Sequence, residues 1–224
     1  ELVSLAKEKN IKILPFIAPF MLTSKLLKDY GLTEESYLVN KDGEFANSFG
    51  NRKFDPLRPE VQRLFLDTLE ELAENSVPFS NIEAIGTRVT GFGLAFPGGG
   101  NVGYSKWDIA QFEKDTGIAV PWPEKGTPYE WIKENCWEEW INWRCKKMAS
   151  FWKEARNIVI KKRPDLCFVI QVLTAFTSIH FEKATPGYKE RLQELKEWGF
   201  DPELFKGESN LIFQIEWVEE ARYL

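Results

Sequence analysis

Two hydrophobic rhythms alternate along this chain. Four short stretches are mostly apolar: 11–20 (IKILPFIAPF), the start of 81–96 (NIEAIGTRVTGFGLAF), 166–173 (LCFVIQVL) and 211–217 (LIFQIEW). Between them apolar residues return every three or four positions, the period of a helix with one buried face. Leu2, Leu5 and Ala6 share a face of a first helix that Asn10 ends. Val61, Leu64, Phe65, Thr68, Leu69 and Leu72 follow Pro59-Glu60, a proline-led helix start. The longest helical row, within 129–163, carries Trp137, Trp140, Ile141, Met148, Trp152, Ala155, Ile158 and Val159. A last helix over 188–198 is capped by Gly199. A run with as little alternation as 166–173 belongs to a parallel strand covered on both sides. Helix and strand therefore alternate four times, which predicts an α/β fold with a parallel sheet of βα units and one domain over 1–224.

The stretch 81–118 shows the unit most clearly. An apolar run breaks at Pro97-Gly98-Gly99-Gly100 and re-enters a helix through Ser105, with Asp108 three positions later as a capping-box partner. The intervening segments read as turns. Pro15 and Pro19 end the first strand, because neither can donate to a ladder. Asp42-Gly43 predicts a hairpin within 37–49, laid over one end of the fold. PWPEKGTP over 121–128 is a rigid connector.

Composition narrows the function classes. With 224 residues and 43% hydrophobic content the chain folds around a large core. A net charge of −5 without a dominant basic patch argues against a nucleic-acid partner. No run of about 18 apolar residues predicts a membrane span. Cys136, Cys145 and Cys167 form no CxxC and no Cys/His cluster, so neither a disulfide framework nor a metal site is expected. No strand is followed by GxGxxG or GxxxxGK[ST], so no nucleotide cofactor is expected. The 9 tryptophans and 17 phenylalanines are the one excess: they serve either as core or as rings left to stack on flat ligands such as sugars. The chain opens on Glu1 inside a helical pattern without a signal peptide, which suggests a truncated or processed product.

Several segments together resemble glycoside-hydrolase-type TIM barrels. FDPLRPEVQRLFLDTLEEL over 54–72 resembles the segment that opens the helix before their fourth strand. KEKNIKILPFIAPF resembles their helix and third strand. YSKWDIAQFEKDTGIAVP, and the Trp-x-x-Trp-Arg of Trp140, Trp143 and Arg144, resemble the segments between strands four and five. The resemblance implies a partial (β/α)₈ barrel covering about strands three to six, and a carbohydrate ligand. A whole barrel needs about 250 residues and eight strands, so the open edges call for a second copy of the chain or the remainder of a longer one. The resemblance also implies an acid at the end of strand four, where this chain reads Gly93-Leu94-Ala95-Phe96-Pro97.

Barrel sites form at the carboxyl ends of strands. The first such end is apolar (Phe16, Pro19, Phe20), the second carries Phe96 with Trp107 just beyond, the third Thr174 and His180, and the fourth Gln214, Glu216 and Trp217. Glu216 is the carboxylate on a strand nearest such an end and is the candidate catalytic residue; its bland alternative is a surface ion pair. Trp107, Trp122 and Trp217 are candidate sugar-stacking rings, although packing is the commoner role for each one taken singly, and Phe96 is a further substrate-binding candidate. His180, the sole histidine, and Gln214 are candidates for binding hydroxyls. Arg88, inside an apolar strand, needs an acid, either in a site or in a structural pair. Asp55 is a further candidate by resemblance, against a role in the turn before its helix. The expected function is a glycoside hydrolase-like domain; the alternatives are a carbohydrate-binding scaffold that kept the barrel without the acid pair, or a doubly wound domain of another kind.

Overall fold

A computed structural model of the chain describes residues 2–17, 28–48, 51–89, 94–173 and 188–216, with the backbone alone at 48, 51, 89, 173, 188–191, 215 and 216. Four strands form one parallel sheet in chain order: β1 (Phe16–Ile17), β4 (Ala84–Val89), β5 (Cys167–Leu173) and β6 (Leu211–Glu216). Sequential parallel neighbours are the arrangement of a barrel wall; a doubly wound sheet reverses its strand order partway. β2 (Asn47–Ser48) and β3 (Asn51–Arg52) make a small antiparallel ribbon. The helices are α1 (Leu2–Glu8), α2 (Pro59–Ser76), α3 (Lys106–Thr116), α4 (Tyr129–Asn135), α5 (Trp137–Lys162) and α6 (Tyr188–Glu197).

Strand alternation sorts the sheet into two faces. Ile17, Ile85, Thr87, Phe168, Ile170 and Val172 are buried on the face that α2 and α5 cover. There Phe65 of α2 meets Phe151 and Trp152 of α5 at 5.4 and 5.6 Å, and Trp152 meets Phe168 at 6.3 Å. The opposite face carries Phe16, Gly86, Val169 and Ile212 in one register row and Arg88, Gln171 and Gln214 in the next-but-one. Its centre is closed and its margins are open: Val169 is 5% exposed, but Phe16 is 37% and Ile212 46%. In a closed barrel this face is the packed interior. Gly86 is required here, because a Cβ would run into the Phe16 ring.

Three sequence expectations change in detail. Within the described residues the first strand pairs at Phe16 and Ile17 after a bridge from Ile13 to Ile82; Pro15, between them, lacks a ladder N–H, but its carbonyl accepts from the Gly86 N–H at 2.9 Å. Thr87 Oγ1 adds a side-chain tie, donating to the Ile17 carbonyl at 3.1 Å. The long helix breaks at Cys136, whose φ of −153° lies outside the helical range; its N–H closes α4 on Ile132 and its carbonyl opens α5 to Trp140. Glu138 and Glu139 then sit in the first turn of α5, where the helix dipole favours them. Trp143 and Phe151, off the main apolar row, are buried as well, because the buried face of α5 is wide and leaves the stripe of Asn142, Lys146, Ser150 and Glu154 to solvent.

The hairpin forms as expected, with Gly43 at φ 86° and a bridge between Val39 and Phe45. It docks on the loop after β4 through the Asn40–Val102 bridge and the Lys41 N–H to the Asn101 carbonyl, 2.8 Å. At the opposite end of the sheet Arg163 gathers the chain. Its guanidinium donates to the carbonyls of Ser76 (2.7 Å) and Ile82 (3.3 Å) and pairs with Asp165 through two bonds. Among the described residues no helix is long and apolar enough to cross a membrane.

Candidate functional site

The carboxyl ends of the four strands lead into 18–27, 90–93, 174–187 and 217–224, which lie outside the described residues. Pro19, Phe20, Thr174, His180 and Trp217 fall there. The described part of the rim is the row across β4, β5 and β6. Arg88 stands opposite Gln171, and Gln171 opposite Gln214. Arg88 Nε donates to the Gln171 side-chain carbonyl. Glu216 ends β6 opposite Leu173, two positions beyond Gln214. Arg88 therefore departs from expectation. It is exposed on the open face, and it meets an amide on the neighbouring strand where the sequence suggested a buried pair with an acid. Gln171, 5% exposed, is the residue sequence reasoning underused. It is the one polar position in an apolar run, and only the register shows what it faces.

Phe96 also departs from its expected role. It is fully buried, and the Arg144 guanidinium lies 3.6 Å from its ring centroid, so neither its edge nor its face meets solvent. Arg144, on α5, has no exposure at all and donates to the carbonyls of Gly99 (3.1 Å) and Glu197 (2.9 Å). Burial lowers its pKa, and the nearby Tyr104, Cys145, Asp108 and Glu197 work against that. Tyr104, buried beside it, donates its hydroxyl to the Gly100 carbonyl and stacks on Trp140 at 5.6 Å. Burial pushes the Tyr104 hydroxyl well above the usual tyrosine range, so it is a fixed donor. The glycine loop is thus read by the protein itself. Gly98 (φ 106°) and Gly99 (φ 60°) turn the chain, and a Cβ on Gly100 would enter the Trp137 ring.

Trp107 and Trp122 lie elsewhere, in a cleft of about 600 Å³ that shares no lining residue with the strand row. Its walls are the hairpin (Tyr37, Val39, Gly43, Phe45), the start of α3 (Ser105, Lys106, Trp107) and the connector (Trp122, Gly126, Thr127). Arg58 lies over Trp107 at 4.9 Å. Behind this cleft sit two buried carboxyls. Asp108 completes the α3 capping box with Ser105, as the sequence predicts, with Ser105 Oγ donating to Oδ2 at 2.7 Å. Asp55 takes the turn role, accepting the Leu57 N–H at 2.9 Å, while Arg58 holds the cap position of α2. The two carboxyls lie near enough to interact, and burial, then the Asp108 charge, raises the Asp55 pKa well above the ordinary carboxylate value. The pair is closed to solvent, which excludes Asp55 from contact with a substrate. Among the described residues no group of three or more His, Cys, Asp or Glu is placed to hold a metal ion.

No family model and no curated protein sequence matches this chain. Solved structures do match in fold. The PgaB (BpsB) glycoside hydrolase domain from Bordetella bronchiseptica aligns with a TM-score of 0.58 at 13% identity, over 93% of this chain and 52% of that one. The β-galactosidase from Bacillus circulans sp. alkalophilus gives 0.55 at 14% identity, over 77% of this chain and 28% of that one. The β-galactosidase from the psychrophilic Marinomonas ef1 gives 0.55 at 12%, over 79% and 29%. At these identities the likeness is one of fold: the chain is built like part of a glycoside-hydrolase-type barrel. It spans about half or less of the length of the structures it matches.

Proposed function

We propose that this domain binds carbohydrate at the carboxyl rim of its parallel sheet, and that Glu216 supplies one carboxylate of a glycoside-hydrolysing pair. The observation that carries this reading is the row Arg88–Gln171–Gln214 across three adjacent strands. Gln171 is buried and accepts from Arg88, while Arg88 and Gln214 are exposed, so the row offers a guanidinium and an amide to a polar ligand on an otherwise apolar sheet face. They stand toward the strand ends where barrel enzymes form their sites. Period-two alternation brings the position of Glu216 back to the face of Gln214. The fold neighbours, which include β-galactosidases, make sugars the ligand class to test first. Such chemistry takes two carboxylates about 5 Å apart in retaining enzymes and 6.5–9.5 Å apart in inverting ones, so the partner of Glu216 comes from outside the described strands.

A second reading is supported by Leu94 and Ala95. Each is 1% exposed and apolar where the resembling families carry an acid at the end of strand four. On that reading the rim binds sugar without cleaving it. A panel of aryl glycosides separates the two. Hydrolysis that falls about 10²–10⁴-fold in Glu216→Gln supports the catalytic reading. Hydrolysis unaffected by that change removes Glu216 from the mechanism, and no hydrolysis with oligosaccharide binding retained supports the second reading.

A further inference from the structure

We infer that the cleft between the hairpin, the start of α3 and the 121–127 connector is a second carbohydrate site, taking neutral pyranose units of a polysaccharide chain. The choice of a sugar rests on the reading above; the cleft itself does not. Its volume of about 600 Å³ lies within the range of about 300–1,000 Å³ typical of ligand pockets. Its lining is aromatic on both the hairpin side (Tyr37, Phe45) and the side of α3 and the connector (Trp107, Trp122). Trp122 is 41% exposed, whereas Trp140, Trp143 and Trp152 are all buried. An indole left in water at the mouth of a cleft offers a flat apolar face, and a pyranose carries a matching patch of C–H groups.

The polar groups around these rings suit hydroxyls. Glu34 and Glu35 stand at the rim with largely exposed carboxylates, and Lys106 Nζ lies 5.9 Å from the Trp122 ring centroid, within reach of a sugar stacked there. The charged lining consists of two acids, Glu34 and Glu35, and two bases, Arg58 and Lys106, so its formal charges cancel. Glu34 is further paired with Arg52 at 3.0 Å. A balanced lining favours a neutral ligand over a cationic or anionic one. The cleft is also held in shape before any ligand arrives. The hairpin is bonded to the loop after β4, and Thr127 Oγ1 donates to the Lys41 carbonyl.

Native gel electrophoresis through neutral polysaccharides tests this, with a galactan, a galactomannan, a xylan and hydroxyethylcellulose each cast in the gel. At least one is expected to retard the chain. Trp122→Ala should weaken that retardation about tenfold, the loss expected for one stacking ring, and Trp122→Tyr should restore part of it. Trp122 sits on an exposed connector, so an unchanged melting temperature in Trp122→Ala confirms that folding is intact. Retardation by none of the four, or equal retardation of Trp122→Ala, overturns the inference. Absence of retardation of the unsubstituted chain by all four, in a protein that does hydrolyse aryl glycosides, sinks the cleft alone. Retardation without hydrolysis sinks only the catalytic role of Glu216.

Discussion

Replacing Asp55 by asparagine changes the pH dependence of stability in a way the structure specifies. Asp55 and Asp108 are 0% and 1% exposed. Oδ2 of the first and Oδ1 of the second meet no donor, although the two carboxyls are within bonding reach of each other. One shared proton satisfies both oxygens, and without it two buried charges face each other. Burial and the Asp108 charge raise the Asp55 pKa, while the Leu57 N–H and the Arg58 charge lower it by less. Because the folded pKa lies above the unfolded one, the folded state holds more protons. The pair's contribution is fully present below the unfolded pKa, near 3.8, and is lost as pH rises toward the folded pKa. Over that window the loss is about 1.4 kcal/mol per pH unit for one proton. In Asp55→Asn, Oδ1 still accepts the Leu57 N–H and the amide donates to Asp108 permanently, so this slope disappears. Urea unfolding of both proteins between pH 4.5 and 7.5 measures the difference, in which every other titrating group cancels. The stability of Asp55→Asn relative to wild type should climb with pH at about that slope. A difference that stays flat across the range would show that no proton is held between the two carboxyls.

Two further substitutions test the packing beneath the rim. Arg144→Met removes both donors to the Gly99 and Glu197 carbonyls and the cation over Phe96, and should cost about 2–4 kcal/mol in thermal or urea unfolding. Arg144→Lys should recover little, because an ammonium neither forks nor stacks as a guanidinium does; full recovery would refute that geometry. Gly100→Ala drives a methyl into the Trp137 ring and should cost about 1–3 kcal/mol. Trp137→Leu in the same background should return part of it, an interaction a double-mutant cycle detects.

Local features of this chain are written in adjacent residues and were legible there. The Ser105–Asp108 capping box, the left-handed Gly199 after α6, the Asp42-Gly43 turn and the Pro59 start of α2 each depend on a few neighbouring positions, and each formed as read. The parallel order of the strands was legible too, since β-branched runs separated by helices leave few other ways to bury both. Features set by pairing across the sheet were not. Arg88 reads as a buried charge in search of an acid until the register puts it on the open face opposite Gln171. Phe96 reads as a ring at a strand end until Arg144 comes down on it from a helix far along the chain. Asp55 and Asp108 each have a satisfactory local role, a turn and a cap, and nothing in either neighbourhood announces that they share a proton. The backbone's periodicity and its caps are short-range properties, so sequence alone determined the elements and their alternation. Which side chains meet depends on register and on how far one helix slides over another, and only the tertiary structure decided that.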